Sequence, residues 1–225
     1  PETYADADVV ILGAPFDGGT SHRPGTRFGP MAIRQTCYLA QDGSRPHLAL
    51  RVDALRDIRV VDAGDVEMPP GDIERSLANL EEAVYAVARA GAVPLVLGGD
   101  HSIAYADARG VARQLGDGRV SMIHFDAHAD TANILEGNLA SHGTPMRRLI
   151  ESGAIPGNQF IQVGLRGYWP GEEDQKWMRD NGLKHFMMHE FWERGVKAVM
   201  ADVIAAAKER ADKVYISIDI DVLDP

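Results

Sequence analysis

Val93-Pro94-Leu95-Val96-Leu97-Gly98-Gly99-Asp100-His101-Ser102 is the stretch on which the fold turns. Its first five residues form a short apolar run that reads as a buried parallel strand, and Pro94, which lacks a ladder donor, belongs near the start of that strand. The two glycines let the backbone turn sharply and present His101 at the sheet's upper edge. Just upstream lies an amphipathic helix, with Asp72 as N-cap, Ile73, Leu77, Leu80, Val84 and Val87 at spacings of 4, 3, 4 and 3, and Gly91 as the stop.

The same alternation extends in both directions. Residues 9–12, 58–61, 120–123, 160–163 and 214–218 are further strand-like runs rich in Val, Ile and Phe. Between them a helix is expected to follow Gly110 or begin just before it, another to span 172–181, and another 196–210, with Lys208 and Arg210 in its last turn. Pro145 can open one more. The Gly/Pro-rich residues 18–30, flanked by a strand and a helix, read as a long loop within one domain. The expected fold is α/β, a three-layer α/β/α sandwich around a mainly parallel sheet. Residues 1–225 read as a single domain, truncated at both ends, because the chain starts at Pro1 and stops at Pro225 just after an apolar, strand-like segment.

Composition narrows the function. Acidic side chains outnumber Lys and Arg 33 to 23, a net charge of −10. That balance argues against nucleic acid, whose binding needs cations on phosphates, and suits a cationic small molecule. No apolar run has the length of a membrane span, and no signal-peptide pattern opens the chain. The single Cys37 excludes a disulfide framework and a Cys-rich metal site, so a reducing compartment, the cytoplasm, is expected.

In an open parallel sheet, ligands bind beyond the carboxyl ends of the strands. Three such ends carry chemistry here: His101 after residues 93–97, Asp126-Ala127-His128-Ala129-Asp130 after the run from Val120, and Asp219-Ile220-Asp221 after the last strand. With a side-chain period of two, Asp126, His128 and Asp130 are expected to project from one side of an extended segment. Four carboxylates gathered with two imidazoles cannot persist without neutralising cations, and they match two divalent ions in charge. Oxygen-rich ligation with His and no thiolate favours Mn²⁺ over structural Zn²⁺, although Fe²⁺, Co²⁺ or Ni²⁺ can substitute. Two such ions about 3.5–4 Å apart would activate a bridging water for hydrolysis.

These motifs, GGDHS at 98–102, DAHAD at 126–130 and SIDIDVLDP at 217–225, together resemble the ureohydrolases, the arginase and agmatinase family. GAPFDGGTSHRPGTRFGP at 13–30 and SHGTPMRR at 141–148 are similar to its agmatinase-like branch, which includes guanidinobutyrase and proclavaminate amidinohydrolase. The resemblance implies that His101, Asp126, Asp130 and Asp219 hold one Mn²⁺ and that Asp126, His128, Asp219 and Asp221 hold a second. Asp126 and Asp219 would bridge. It further implies that hydroxide between the metals attacks a guanidino carbon to release urea and an amine, with His142 as the catalytic proton shuttle near the leaving amine. Agmatine is the first substrate expected, 4-guanidinobutyrate or proclavaminate the second. The substrate-binding residues are unassigned, and a family Glu that holds the guanidinium falls beyond residue 225. A homo-oligomer, trimer or hexamer, follows from the same resemblance.

Other polar residues receive quieter roles. His124 shares the parity of Asp126 and reads as a hydrogen-bonded structural histidine, Asp100 as a group that orients its neighbour. His22 and Arg23 could line the entrance, and residues 166–170 could rim the pocket. His185 and His189 stand apart from the cluster. Residues 131–140 help choose the substrate. Two rivals of other classes are a one-metal zinc deacetylase, against which His101 and Asp130 speak, and a non-catalytic metal-binding paralogue.

Overall fold

The structure, a computed structural model, describes residues 4–36, 46–53 and 55–223, so Cys37 lies outside the described residues. In chain order its main elements are β1 (Val9–Gly13), α1 (Gly29–Gln35), β2 (Val60–Asp65), α2 (Ile73–Arg89), β3 (Val93–Leu97), α3 (Ile103–Leu115), β4 (Val120–Phe125), α4 (Pro145–Glu151), β5 (Phe160–Leu165), α5 (Glu172–Asp180), β6 (Lys184–Met187), α6 (Met188–Arg194), α7 (Val196–Lys208) and β7 (Lys213–Ile218). Every strand pair is parallel. The hydrogen-bonded orders are β2-β1-β3 and β6-β5-β4-β7.

The three layers follow from side-chain parity. In β4, Met122 packs with Ala108 and Ala112 of α3 and Met146 and Leu149 of α4. Its neighbour Ile123 faces the other way, onto Val199 and Val203 of α7. Val10 and Leu12 of β1 meet Leu80, Val84 and Val87 of α2, the apolar stripe expected of that helix. Asp72 caps α2 through a 3.0 Å bond from the Arg75 amide.

Pro94 is the second residue of β3. Val93 N donates to Asp8 O at 2.8 Å, so the following nitrogen faces away from β1, where no donor is needed.

Five expectations need correction. The helix placed at Gly110 begins at Ile103 and carries Gly110 inside it. A Cβ there would stand 2.8 Å from Glu81 O and 2.9 Å from Val84 Cβ, so the glycine marks the close crossing of α2 and α3 rather than a helix start. β2 begins at Val60, two residues late, because Ile58 N closes a turn onto Leu55 O. The runs at 93–97 and 214–218 are not buried: Val93, Leu95, Ile216 and Ile218 are exposed, because β3 pairs with β1 alone and β7 with β4 alone among the described strands. Residues 126–130 do not continue β4 as an extended segment, since the strand ends at Phe125 and Asp130 adopts φ 51.

Candidate metal centre

The open edges of β3 and β7 flank a cleft of about 670 Å³, and at its upper end the three sequence motifs meet. His101 opens the turn that leads into α3, and its Nε2 lies 2.9 Å from Ser217 Oγ on β7. The other ring nitrogen, Nδ1, is buried without an aligned hydrogen bond. It stands 3.1 Å from Asp126 Oδ2, 3.0 Å from Asp130 Oδ2 and 3.2 Å from Asp219 Oδ2. Neighbouring ligands around a six-coordinate ion with bonds of about 2.1 Å lie about 3 Å apart, so this donor set fits a divalent cation.

A second group forms on the outer side. His128 Nδ1 lies 3.0 Å from Asp221 Oδ2 and 3.6 Å from Asp126 Oδ1. The strand-parity expectation therefore fails at His128: its side chain is 50% exposed and turns toward Asp221, while Asp126 and Asp130 turn inward to His101. The left-handed backbone at Asp130, a conformation Asp tolerates better than most residues, swings its carboxylate back to the inner group. Asp126 has one oxygen in each group. His101, His124, Asp126 and Asp130 each bring one donor atom within 4.8 Å of the others, and so do Asp126, His128 and Asp221.

The electrostatics match. Burial opposes charge on His101, yet the close carboxylates of Asp126, Asp130 and Asp219 overcome it and hold the imidazole well above its ordinary pKa. Despite burial, His101 and His124 hold Asp126 far below the usual carboxylate range, and His101 also lowers Asp219. Burial raises Asp221, whose neighbours Asp126 and Asp219 add to the effect. A centre that draws a proton this strongly draws a divalent cation for the same reason.

A relay of loops places His142. Asp100, buried beside His101, accepts Gly19 N at 2.8 Å through Oδ2, while its Oδ1 accepts the Ser102 amide at 2.8 Å. Gly19 O in turn accepts Ser141 Oγ at 3.1 Å and faces His142 Nδ1 at 2.9 Å. A Cβ at Gly19 would lie 2.9 Å from Ser102 Oγ and 3.0 Å from Asp100 Oδ1, so a larger residue would push on the groups that pin the loop. Asp17, held below the usual carboxylate range by Arg27, bonds Gly25 N at 2.8 Å and fixes the same loop.

Of the remaining candidates, His22 and Arg23 are exposed, and His185 lies on β6 among Tyr168, Trp169 and Met178, away from the carboxylates. His189 lies in α6. Sequence reasoning gave no role to Ser217, Gly19 or Gln162; Ser217, inside the SIDID motif, and Gly19, inside the motif at 13–30, carried a signal, and Gln162 carried none.

Fold and centre together define a hydrolase of the ureohydrolase class, acting on C–N bonds of linear amidines. Residues 7–225 match the model of the arginase family, and the chain belongs to that family, within its agmatinase-like branch. It is 38% identical over 218 residues to proclavaminate amidinohydrolase of Streptomyces clavuligerus, covering 97% of this chain and 67% of that protein. It is 37% identical over 222 residues to guanidinopropionase of Pseudomonas aeruginosa, covering 98% and 67%. With the mitochondrial agmatinase of Gallus gallus it shares 36% over 219 residues, 97% and 62%. The solved proclavaminate amidinohydrolase superposes with a TM-score of 0.86 at 36% identity, covering 97% of this chain and 70% of that one. Trypanosoma cruzi formiminoglutamase, solved with two Mn²⁺, superposes at 0.80 with 30% identity, covering 92% and 69%. The chain spans between 60% and 71% of the length of these and similar curated relatives. No helix among the described residues is long and apolar enough to cross a membrane.

Proposed function

We propose that this chain carries the catalytic centre of a binuclear manganese amidinohydrolase that cleaves a guanidino substrate, agmatine first, into urea and an amine. The observation that carries this reading is the convergence of Asp126, Asp130 and Asp219 on a single ring nitrogen of His101, beside the His128 and Asp221 pair. His101, Asp126, Asp130 and Asp219 would hold one ion, and Asp126, His128, Asp219 and Asp221 the other. A pair of divalent cations, when bound, lowers the pKa of a shared water toward neutrality and so supplies the nucleophile.

The chain's own groups do the rest. Gly19 O is an acceptor only, so it fixes the proton of His142 on Nδ1 and leaves Nε2 to exchange protons with the leaving amine. The cleft is lined by Asp100, Asp107 and Asp219, acidic side chains that suit a cationic guanidinium and the distal ammonium of agmatine. The second reading, a guanidino acid such as 4-guanidinobutyrate or proclavaminate, is favoured by the names of the relatives.

One ureohydrolase domain, assembly as a trimer or hexamer and a cytoplasmic setting complete the proposal. The family resemblance supports the first two, and the single cysteine supports the third. The test is urea release by the Mn²⁺-loaded protein from agmatine, arginine, 4-guanidinobutyrate, proclavaminate-like acids and guanidine. Urea from agmatine above all others is the expected result. Urea from an acid alone selects the second reading, and none from any, with two ions bound per chain, marks a non-catalytic paralogue.

A further inference from the structure

Proximity admits His124 to the inner donor group as a ligand. Its hydrogen bonds assign it a different task. We propose that His124 is a positioning residue: a neutral imidazole, protonated on Nε2, that donates to the Asp126 carboxylate and locks its orientation, with Gln162 dictating the tautomer. The inference rests on the proposed metal centre and adds to it the device that sets a shared ligand.

The argument starts from the sheet. His124 on β4 and Gln162 on β5 are register partners, and both are fully buried. Gln162 Nε2 lies 2.6 Å from Ala129 O and 3.1 Å from His124 Nδ1, while its Oε1 has no partner. Turning the amide over would set Oε1 against Ala129 O, two acceptors in contact, so the orientation is fixed by the carbonyl. Gln162 Nε2 therefore donates to both groups, and His124 Nδ1 must accept. A neutral imidazole that accepts at Nδ1 carries its proton on Nε2. That Nε2 lies 2.8 Å from Asp126 Oδ2.

Two consequences follow. A metal ligand needs a lone pair, and neither nitrogen of His124 has one free, so His124 does not coordinate. Asp126 is gripped at both oxygens, Oδ2 by His124 and Oδ1 by the His128 amide at 2.6 Å, so its plane is set before any cation arrives. Ala129 belongs to the same turn as His128 and Asp130, so Gln162 ties that turn to the His124 ring.

Calorimetry with Mn²⁺ as the probe, on the whole chain freed of metal, tests the assignment. A glutamine side chain places its amide nitrogen near the position of a histidine Nε2, whereas leucine supplies no donor. His124→Leu is expected to weaken Mn²⁺ binding about 10–100-fold. His124→Gln is expected to keep most of the affinity and the full number of ions per chain. If His124→Gln weakens binding as far as His124→Leu does, or binds fewer ions per chain than the parent, His124 is a ligand and the proposal is overturned. Nitrogen-15 spectra of the metal-free protein add a readout that a merely structural histidine would not fix: the proton on Nε2 and a lone pair on Nδ1 in the parent. A proton on Nδ1 overturns the assignment. Wild-type protein that binds no Mn²⁺ yet shows the Nε2 tautomer would remove the metal centre and leave the hydrogen-bond relay standing, so the two failures are distinguishable.

Discussion

Nδ1 of His142 lies 2.9 Å from the carbonyl oxygen of Gly19, 123 residues away in the chain. A backbone carbonyl cannot donate, so this contact places the ring proton on Nδ1 and leaves Nε2 as the nitrogen that would exchange protons in the proposed reaction. It also explains why the Gly-rich loop after β1 is pinned by Asp100: the loop is the scaffold of the imidazole.

His142→Ala removes the nitrogen proposed to exchange protons without touching a proposed ion ligand. Turnover on the substrate found by the urea panel falls by about 10²–10⁴-fold, the usual weight of a general acid or base. Metal content, read by elemental analysis, stays at the parent value. Loss of metal in this variant would show that His142 had been placed wrongly.

Asp126→Asn acts at the oxygen-sharing position. The amide has one acceptor oxygen where the carboxylate has two and carries no charge, so metal and activity are lost together. Retention of two ions per chain in equilibrium dialysis would refute the bridging role.

Asp107 offers a pH test at a residue outside the proposed ligand set. It is buried in α3 with one carboxylate oxygen unpartnered, and burial pushes its pKa up to about 6 although Tyr215 bonds it. A carboxyl raised on folding contributes stability that is whole below its unfolded pKa of 3.8 and lost as pH rises through about 6. Asp107→Asn removes that loss. The variant gains up to roughly 3 kcal/mol over the parent above pH 6, at about 1.4 kcal/mol per pKa unit, and gains little at pH 4. Urea unfolding at several pH values reads the difference, and an equal gain at all pH values would remove titration as its cause.

Gly110→Ala sets two effects against each other. Alanine favours a helix interior by about 1 kcal/mol over glycine. Here its Cβ would meet the Glu81 carbonyl, which is backbone and cannot step aside. Overpacking of this kind costs about 1–3 kcal/mol, so the unfolding midpoint falls. A raised midpoint would mean that the crossing of α2 and α3 is looser than its geometry.

Much of this arrangement was legible in the sequence because it is local. Strands β1, β3, β4 and β5 announce themselves as apolar runs, α2 by its 4-3-4-3 spacing, and the clustering of His101, Asp126, Asp130 and Asp219 by their places at strand ends. The failures are non-local. β6 (Lys184–Met187) has no β-branched residue and pairs on one side only, so neither propensity nor alternation marks it. The start of α3 hides in a stretch where Ala104, Ala106, Ala108 and Ala112 give little apolar contrast. Exposure along β7 depends on which strands lie beside it, and the inward turn of Asp130 on a backbone angle. Gly19 acts through a carbonyl that every residue possesses, so its side chain could say nothing.

The centre is stitched across the whole chain: His101 meets Ser217 over 116 residues, and the Ala127 amide meets Asp221 over 94. Closing loops of that length is a slow search, completed only when β7 docks beside β4. Until then the inner donor group lacks Asp219 and the outer one Asp221, so the proposed metal seat is complete only with β7 in place. Mn²⁺ held there stabilises only states in which β7 is docked, and the unfolding rate is expected to fall when it is added.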